Sequence, residues 1–556
     1  MNRNLWIAVI LAIVAVGGFY LYKRAAEPAL PDLAPVGATL IEGLGDYTMP
    51  VTAKNADVQR WFDQGLAMTY GFNHDAAERS FLKAAELDPG CAMCWWGAAL
   101  VLGPHVNSGM DPANNPKAWD RLKRAERAAA GATEKEQAFI TALAARYGES
   151  PPENRRPLDE AYATAMGELS AKYPDDLDAA ALHAEAMMDL QPWDYYDASG
   201  EPKGNTAKVV STLESVMARD PEHAGALHLY VHAVEASPDP SRGVAAADAL
   251  RELLPGSGHL VHMPAHIYAR VGRWHDAVVA NQKAIVADDN YLAICKPGPG
   301  VYPLGYVPHN HHFLWFAATM EGAGEIARVA AAHTGERTSD PQLMRTPGFE
   351  AMQNFSLTPL FAAVRFGRWD EITSMPKPAD DVPYLQAMWN YAQAMAAVSQ
   401  GRLDDAKAYH AALVPAASDP TIEKMLAWDR YSLIGGVQVA ERFVAADIAR
   451  AEKKYDEAIA ALNTAVTIED TLLYDEPPAW NWPSRLALGN VLLQAGKAAE
   501  AEQVFRDELT RNPENGWSLH GLARALKAQG KKQEADEVAE RFAKAWANAD
   551  VDLGKI

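Results

Sequence analysis

The strongest chemical signal in this 556-residue chain is the placement of its histidines. His228 and His232 are four residues apart, and so are His262 and His266. Each member of the second pair follows its counterpart by 34 residues. On a helix, residues three or four apart share a face, so His259 joins His262 and His266, and Glu235 joins His228 and His232. Aligning the next segment on Gly322 and Ala327 puts His309 and His312 level with His259 and His262, while His311 falls off that face. Seven histidines and one glutamate therefore occupy matched faces of three successive helices. Neutral imidazole is the commonest protein ligand for zinc, copper, nickel and iron. Two imidazoles one turn apart can grip an ion from a rigid helix, and a neighbouring helix can complete the shell. Seven rings exceed one tetrahedral shell and suit either one ion with a supporting network or two ions. Copper or zinc leads iron or nickel as the expected cofactor, with Met263 and Cys295 leaning toward copper. If the site is catalytic, Glu235 is the acid/base. Without a metal, the same rings would line a polar groove, contacting a peptide or one another.

Other reactive groups are sparser. Cys91-Ala-Met-Cys94 is a lone C-x-x-C with neither the histidine of a haem attachment site nor a second C-x-x-C. A local Cys91–Cys94 disulfide is the plain reading and a redox dithiol the rival. Cys295 is either a free thiol near the histidines or a small buried residue. Among 15 tryptophans, Trp61 and Trp95 fit core positions. Trp193-Asp194-Tyr195-Tyr196 and Trp480-Asn481-Trp482 lie in irregular stretches, as ligand-stacking walls or loop caps. The chain has no G-x-S-x-G elbow, P-loop, H-E-x-x-H or EF-hand loop.

The elements that must hold these groups are helices. From residue 58 onward, alanine-rich amphipathic stretches alternate with Gly, Pro and Asp-Pro punctuation, and no sustained period of two appears. Trp61, Gly65, Ala77, Phe81, Ala84 and Pro89 set a register that Leu488, Gly489, Ala501, Phe505 and Pro513 repeat. Leu522, Ala535 and Phe542 follow it one unit later, and Tyr268, Gly272 and Ala277 in the middle. This spacing resembles the 34-residue tetratricopeptide repeat (TPR), a helix-turn-helix. The resemblance implies an all-α solenoid of stacked hairpins over residues 58–549, with histidine-rich central repeats at about 224–340 and C-terminal repeats at about 439–549. It also implies that the histidine faces line a concave groove that takes a protein or peptide partner or a small molecule. Residues 103–117, 190–206, 290–308 and 471–483 break the period, and insertions into a solenoid gather on its functional face. The blocks CAMCWWGAALVLGP (91–104), HMPAHIYARVGRW (262–274), PHNHHFLWFAATMEG (308–322) and YDEPPAWNWPSR (474–485) resemble a poorly characterised family of bacterial TPR proteins, which implies a grouping and no reaction.

A net charge of −21 argues against nucleic acid as a partner. Leu5–Tyr22 is an uncharged apolar run of nearly membrane-spanning length. Residues 1–24 are accordingly read as an anchor in a bacterial inner membrane, and 25–56, rich in Pro and Gly, as a tether. The body then faces the periplasm, with secretion after signal cleavage as the alternative. Three functions follow: a groove that binds metal for metal handling or partner binding, a metal-dependent hydrolase or oxidoreductase on the same residues, and a plain protein-interaction scaffold.

Overall fold

The repeat is built on an aromatic ring wedged between two glycines. In the computed structural model, which describes residues 38–554, helices Ala56–Tyr70, His74–Leu87 and Ala92–Leu100 stack side by side. A Cβ added at Gly65 or at Gly97 would come within 3 Å of the Phe81 ring between them. The C-terminal repeats reproduce this arrangement, with Gly489 of Ser484–Gln494 and Gly521 of Gly516–Ala528 on either side of Phe505 of Ala498–Arg511. Small residues let the helix backbones approach, and one large ring fills the layer. The turns are equally regular. Gly272, Gly367, Gly401, Gly496 and Gly530, each followed by a basic residue, take φ of 65–81°, the left-handed conformation that ends a helix without steric cost. The architecture is thus an all-α stack of helical hairpins. The sole paired strands among the described residues are Leu426–Ala427 and Tyr431–Ser432, antiparallel, with Leu426 opposite Ser432 and Ala427 opposite Tyr431. Trp95, expected in the core, is half-buried beneath Arg124, and its neighbour Trp96 takes the interior place. Trp61 is likewise half-buried.

Both ends of the solenoid fold back on its middle. At the N-terminal end, Tyr70 lies against Gly225 of helix Ala224–Val234. At the C-terminal end, Trp517 Nε1 donates to the Thr319 carbonyl (2.7 Å) and Trp274 Nε1 to that of Pro513 (2.8 Å). Asp550 accepts the free amides of Gly324 and Glu325 at a helix start (2.6 and 3.1 Å). Residues 38–55, part of the stretch read as a tether, run as a strap along this body. Its bonds include Ile41 N to Gln64 Oε1 (2.8 Å), Gly256 N to the Gly43 carbonyl (2.7 Å) and Tyr47 OH to Asp178 (2.7 Å). The apolar segment read as an anchor lies outside the described residues, and no helix among those described is long and apolar enough to cross a membrane. The helices that carry the histidines lie in the middle of the body, where both ends meet.

Replacing Gly489 with Ala should lower stability by about 1–3 kcal/mol although alanine favours helix, because the Phe505 ring must move. Urea denaturation monitored by circular dichroism checks this.

Candidate metal centre

Three local features aim the rings. Helix Ala224–Val234 (AGALHLYVHAV) is buried along its whole length, so His228 and His232 are held inside the body. The next histidine-bearing helix, Gly258–His262, is broken at Met263-Pro264 because proline has no N–H to continue it. The chain restarts as Pro264–Arg270 with the His266 amide bonded to the Met263 carbonyl, three residues back, which tightens the turn between His262 and His266. His309 follows a wide π turn, Tyr302–Tyr306, at the start of Val307–Glu321. Asp288 secures that junction, accepting from Tyr302 OH (2.8 Å) and from Asn310 Nδ2 (2.7 Å).

The rings form two adjoining triads, His228–His232–His259 and His262–His266–His309. His262 Nε2 lies 2.7 Å from His266 Nε2 and 3.1 Å from His309 Nε2, and His228 Nε2 lies 3.1 Å from His259 Nε2. The opposite nitrogens are already engaged. His228 Nδ1 contacts the Tyr70 carbonyl at 2.6 Å, and His262 Nδ1 the Asn281 Oδ1 at 2.7 Å. Asn281 Nδ2 donates to the Ala277 carbonyl (2.8 Å), which turns its oxygen toward the ring. Glu235 joins the two triads: Oε1 accepts from His232 Nδ1 (2.9 Å) and Oε2 from His266 Nδ1 (2.6 Å). With Nδ1 carrying the proton, Nε2 carries the lone pair that a metal takes. The Nε2 of His232 and the Nδ1 of His259 have no hydrogen-bond partner.

Burial penalises charge on these rings. It holds His228, His259, His262 and His309 well below the usual histidine range, with charge on neighbouring rings adding to the effect. Burial and the charge of His266 take His232 down to about 3. His266 is the exception: burial opposes its charge, but Glu476 and Glu235 outweigh that and lift it to about 10. Five imidazoles are thus neutral donors at pH 7, beside His266, whose charge is held by Glu235 and by Glu476, the latter itself pushed up to about 8 by burial and by Glu235.

The structure brings together six of the seven histidines and Glu235. His312 stands apart, stacked on Trp315 (5.2 Å) and edge-on to Phe355 (4.8 Å), because one helical turn beyond His309 carries it past the cluster. Glu235 is fully buried and spends both oxygens on ring nitrogens, so it positions the triads and does not reach the cavity as the expected acid/base would. Glu476 reaches the cavity instead and contacts His266 Nδ1 from above. Sequence spacing could not pair it with a histidine 210 residues away; its only signal was the DEPP block. Phe72 and His105, also unforeseen, pack 4.5 Å from His228 and 4.6 Å from Phe72 respectively. Cys91 and Cys94 form a disulfide remote from the cavity lining. Cys295 is a buried thiol at the end of Trp274–Cys295, near Arg79 and Asp75 and outside the cavity.

The cavity holds about 540 Å³, with His232, His259, His266 and His309 on its floor. All four period-breaking stretches contribute to it: His105 to Met110, Trp193, Val301 to Tyr306, and Asp475 with Glu476. Trp428 and Arg430, from the turn of the β-hairpin, complete the wall. Trp193 is a wall residue as its insertion suggested, set edge-on to His232 at 5.2 Å, whereas Trp480 is buried against Tyr391 and Phe443.

No family model and no curated protein matches the chain. Solved structures similar to it include human IFIT1 bound to m7Gppp-AAAA, with 14% identity over 88% of this chain and 100% of that one, TM-score 0.30. Yeast Tom70 is similar at 12% identity over 88% and 93%, TM-score 0.26. The P58(IPK) TPR domain is similar at 12% identity over 86% and 100%, TM-score 0.22. Scores this low say nothing of what this chain binds.

Replacing Asn281 with Ala strands the buried Nδ1–H of His262 and should cost about 1–3 kcal/mol in chemical denaturation.

Proposed function

We propose that this protein is a helical solenoid that holds transition-metal ions in its two histidine triads and presents them to a small molecule in the cavity above. One observation carries the reading. His262 Nε2, its other nitrogen spent on Asn281, faces two further Nε2 atoms at 2.7 and 3.1 Å. Two lone pairs this close repel unless a proton or a metal ion lies between them. A proton can serve one such pair; a metal ion serves all three. The ligand–ligand edge of a tetrahedral site with bonds of about 2.05 Å is about 3.3 Å, which the 3.1 Å pair approaches and the 2.7 Å pair would reach by opening slightly.

Three protein ligands per ion leave a fourth position, the arrangement of a reactive rather than a purely structural site. Four of the six rings border the cavity, so that position faces the bound molecule. Handing an ion to a protein partner would require ligands near the surface, and five of these rings are at most 3% exposed. The geometry therefore favours metal-centred chemistry on an enclosed small molecule. Glu235 and Asn281 would orient the ligating rings, and Glu476 would stand beside the substrate. We place the body in an oxidising compartment, the periplasm where residues 1–24 anchor it; the Cys91–Cys94 disulfide supports this.

Reconstitution with zinc, copper, nickel or iron(II) followed by elemental analysis should find up to two ions per chain. His262→Ala should remove one and His228→Ala the other with helicity unchanged, and Glu235→Gln should weaken both by about 10- to 100-fold. A folded protein that retains none of the four metals overturns the proposal.

A further inference from the structure

We propose that a second cavity, between the C-terminal repeats and the helix Thr358–Arg365, binds a small organic carboxylate with an apolar body. This cavity holds about 520 Å³ and shares no lining residue with the one above the histidines, so the inference stands apart from the metal. Its decisive feature is Arg365. The side chain lines the cavity, the residue is only 5% exposed, and it makes no hydrogen bond or ion pair with any described residue. A buried guanidinium without an acceptor is costly.

The indoles on either side explain how it is held and what it lacks. The guanidinium carbon lies 3.7 Å from the centre of the Trp517 ring and 4.8 Å from that of Trp482. Trp517 is itself fixed by its bond to the Thr319 carbonyl. Cation–π contact stabilises the faces of the guanidinium but satisfies none of its five N–H donors, which lie along the edge. Glu508 and Tyr391 are near enough for their charge to act on Arg365, but neither forms an ion pair or hydrogen bond with it, and the Glu508 carboxyl accepts from Asn512 Nδ2 (2.6 Å).

The rest of the wall adds one more unpaired positive group, Arg524, beside an arginine that Asp447 of the same wall neutralises. Arg450 is paired with Asp447 (2.6 Å). Arg524 also lines the cavity and has no ion pair, and His520 is held below its usual range by burial and by Arg524. Two unpaired arginines on one cavity wall, in a chain of net charge −21, mark a place for an anion. The fork of an arginine matches a carboxylate in two parallel hydrogen bonds. One buried positive charge balances one negative charge, which suits a monocarboxylate better than a phosphate dianion. Met395, Phe443, Leu462 and Val491 supply apolar surface for the remainder of the molecule.

The test is calorimetric titration of the full chain with octanoate and its neutral analogue octanamide. Octanoate should bind one per chain and at least about tenfold more tightly than octanamide. Arg365→Met should erase that difference and, ligand-free, melt at a higher temperature than the parent because a buried unpaired charge is gone. Arg524→Gln, at an exposed position, should weaken octanoate several-fold with the fold intact. No binding of octanoate, equal binding of octanoate and octanamide, or an unaltered octanoate affinity in a folded Arg365→Met variant overturns the proposal. Displacement of octanoate by an equal concentration of inorganic phosphate overturns the assignment to carboxylates. Should Arg365→Met fail to fold, the octanoate-to-octanamide ratio in the parent and the Arg524→Gln result decide the matter.

Discussion

Taking an imidazole out of water leaves two nitrogens to satisfy, and this molecule does so for six rings in one place. The solution is a division of labour between the nitrogens. On four rings Nδ1 is handed to an oxygen: a carbonyl for His228, an amide for His262, and the shared carboxylate of Glu235 for His232 and His266. The Nε2 atoms of His228, His262 and His266 are then left facing another ring's Nε2, and that of His232 is left without a partner. Helix choice, the break at Pro264 and the π turn before His309 all serve to bring these atoms within one ion's reach.

Such a cluster has to be shielded, and a solenoid is not a shielding fold. An isolated TPR-like stack presents one open curved face. Here the ends return to the middle, and residues of the first repeat, Tyr70 and Phe72, cap the His228 triad. The C-terminal repeats lock onto the far side through Trp517, Trp274 and Asp550. The interruptions of the repeat fill what remains and become the walls of the cavity. The same return of the C-terminal arm encloses the second cavity, where Arg365 is trapped between Trp482 and Trp517. One rearrangement of a linear array thus produces two cavities of opposite chemical character. One has imidazole lone pairs on its floor and the other an unpaired guanidinium.

Residue periodicity was enough to read the hairpins, because their packing is local. Phe81 meets Gly65 and Gly97 of the helices on either side, and each of those partners lies 16 residues away. The 34-residue interval between histidine pairs carried the same local information, so the matched faces were legible, while the division into triads, which takes His259 from His262 to His228, was not. His312 shows the limit: spacing assigned it to the shared face, while the turn from His309 and the neighbouring Trp315 and Phe355 drew it elsewhere. The role of Glu235 was similarly half-read. Its position beside His232 followed from helical spacing, but its commitment to His266 as well depended on how two helices sit together.

The sequence by itself determined the helical repeat, the interruptions in it, and which rings could share a face, because each of these depends on neighbours within about one repeat. Only the tertiary structure decided that both ends return to the middle, that Glu476 lies against His266, and that Arg365 has two indoles and no carboxylate. Those facts arise where segments hundreds of residues apart are pressed together. No spacing along a chain encodes the shape left between surfaces that meet only after the ends have come round.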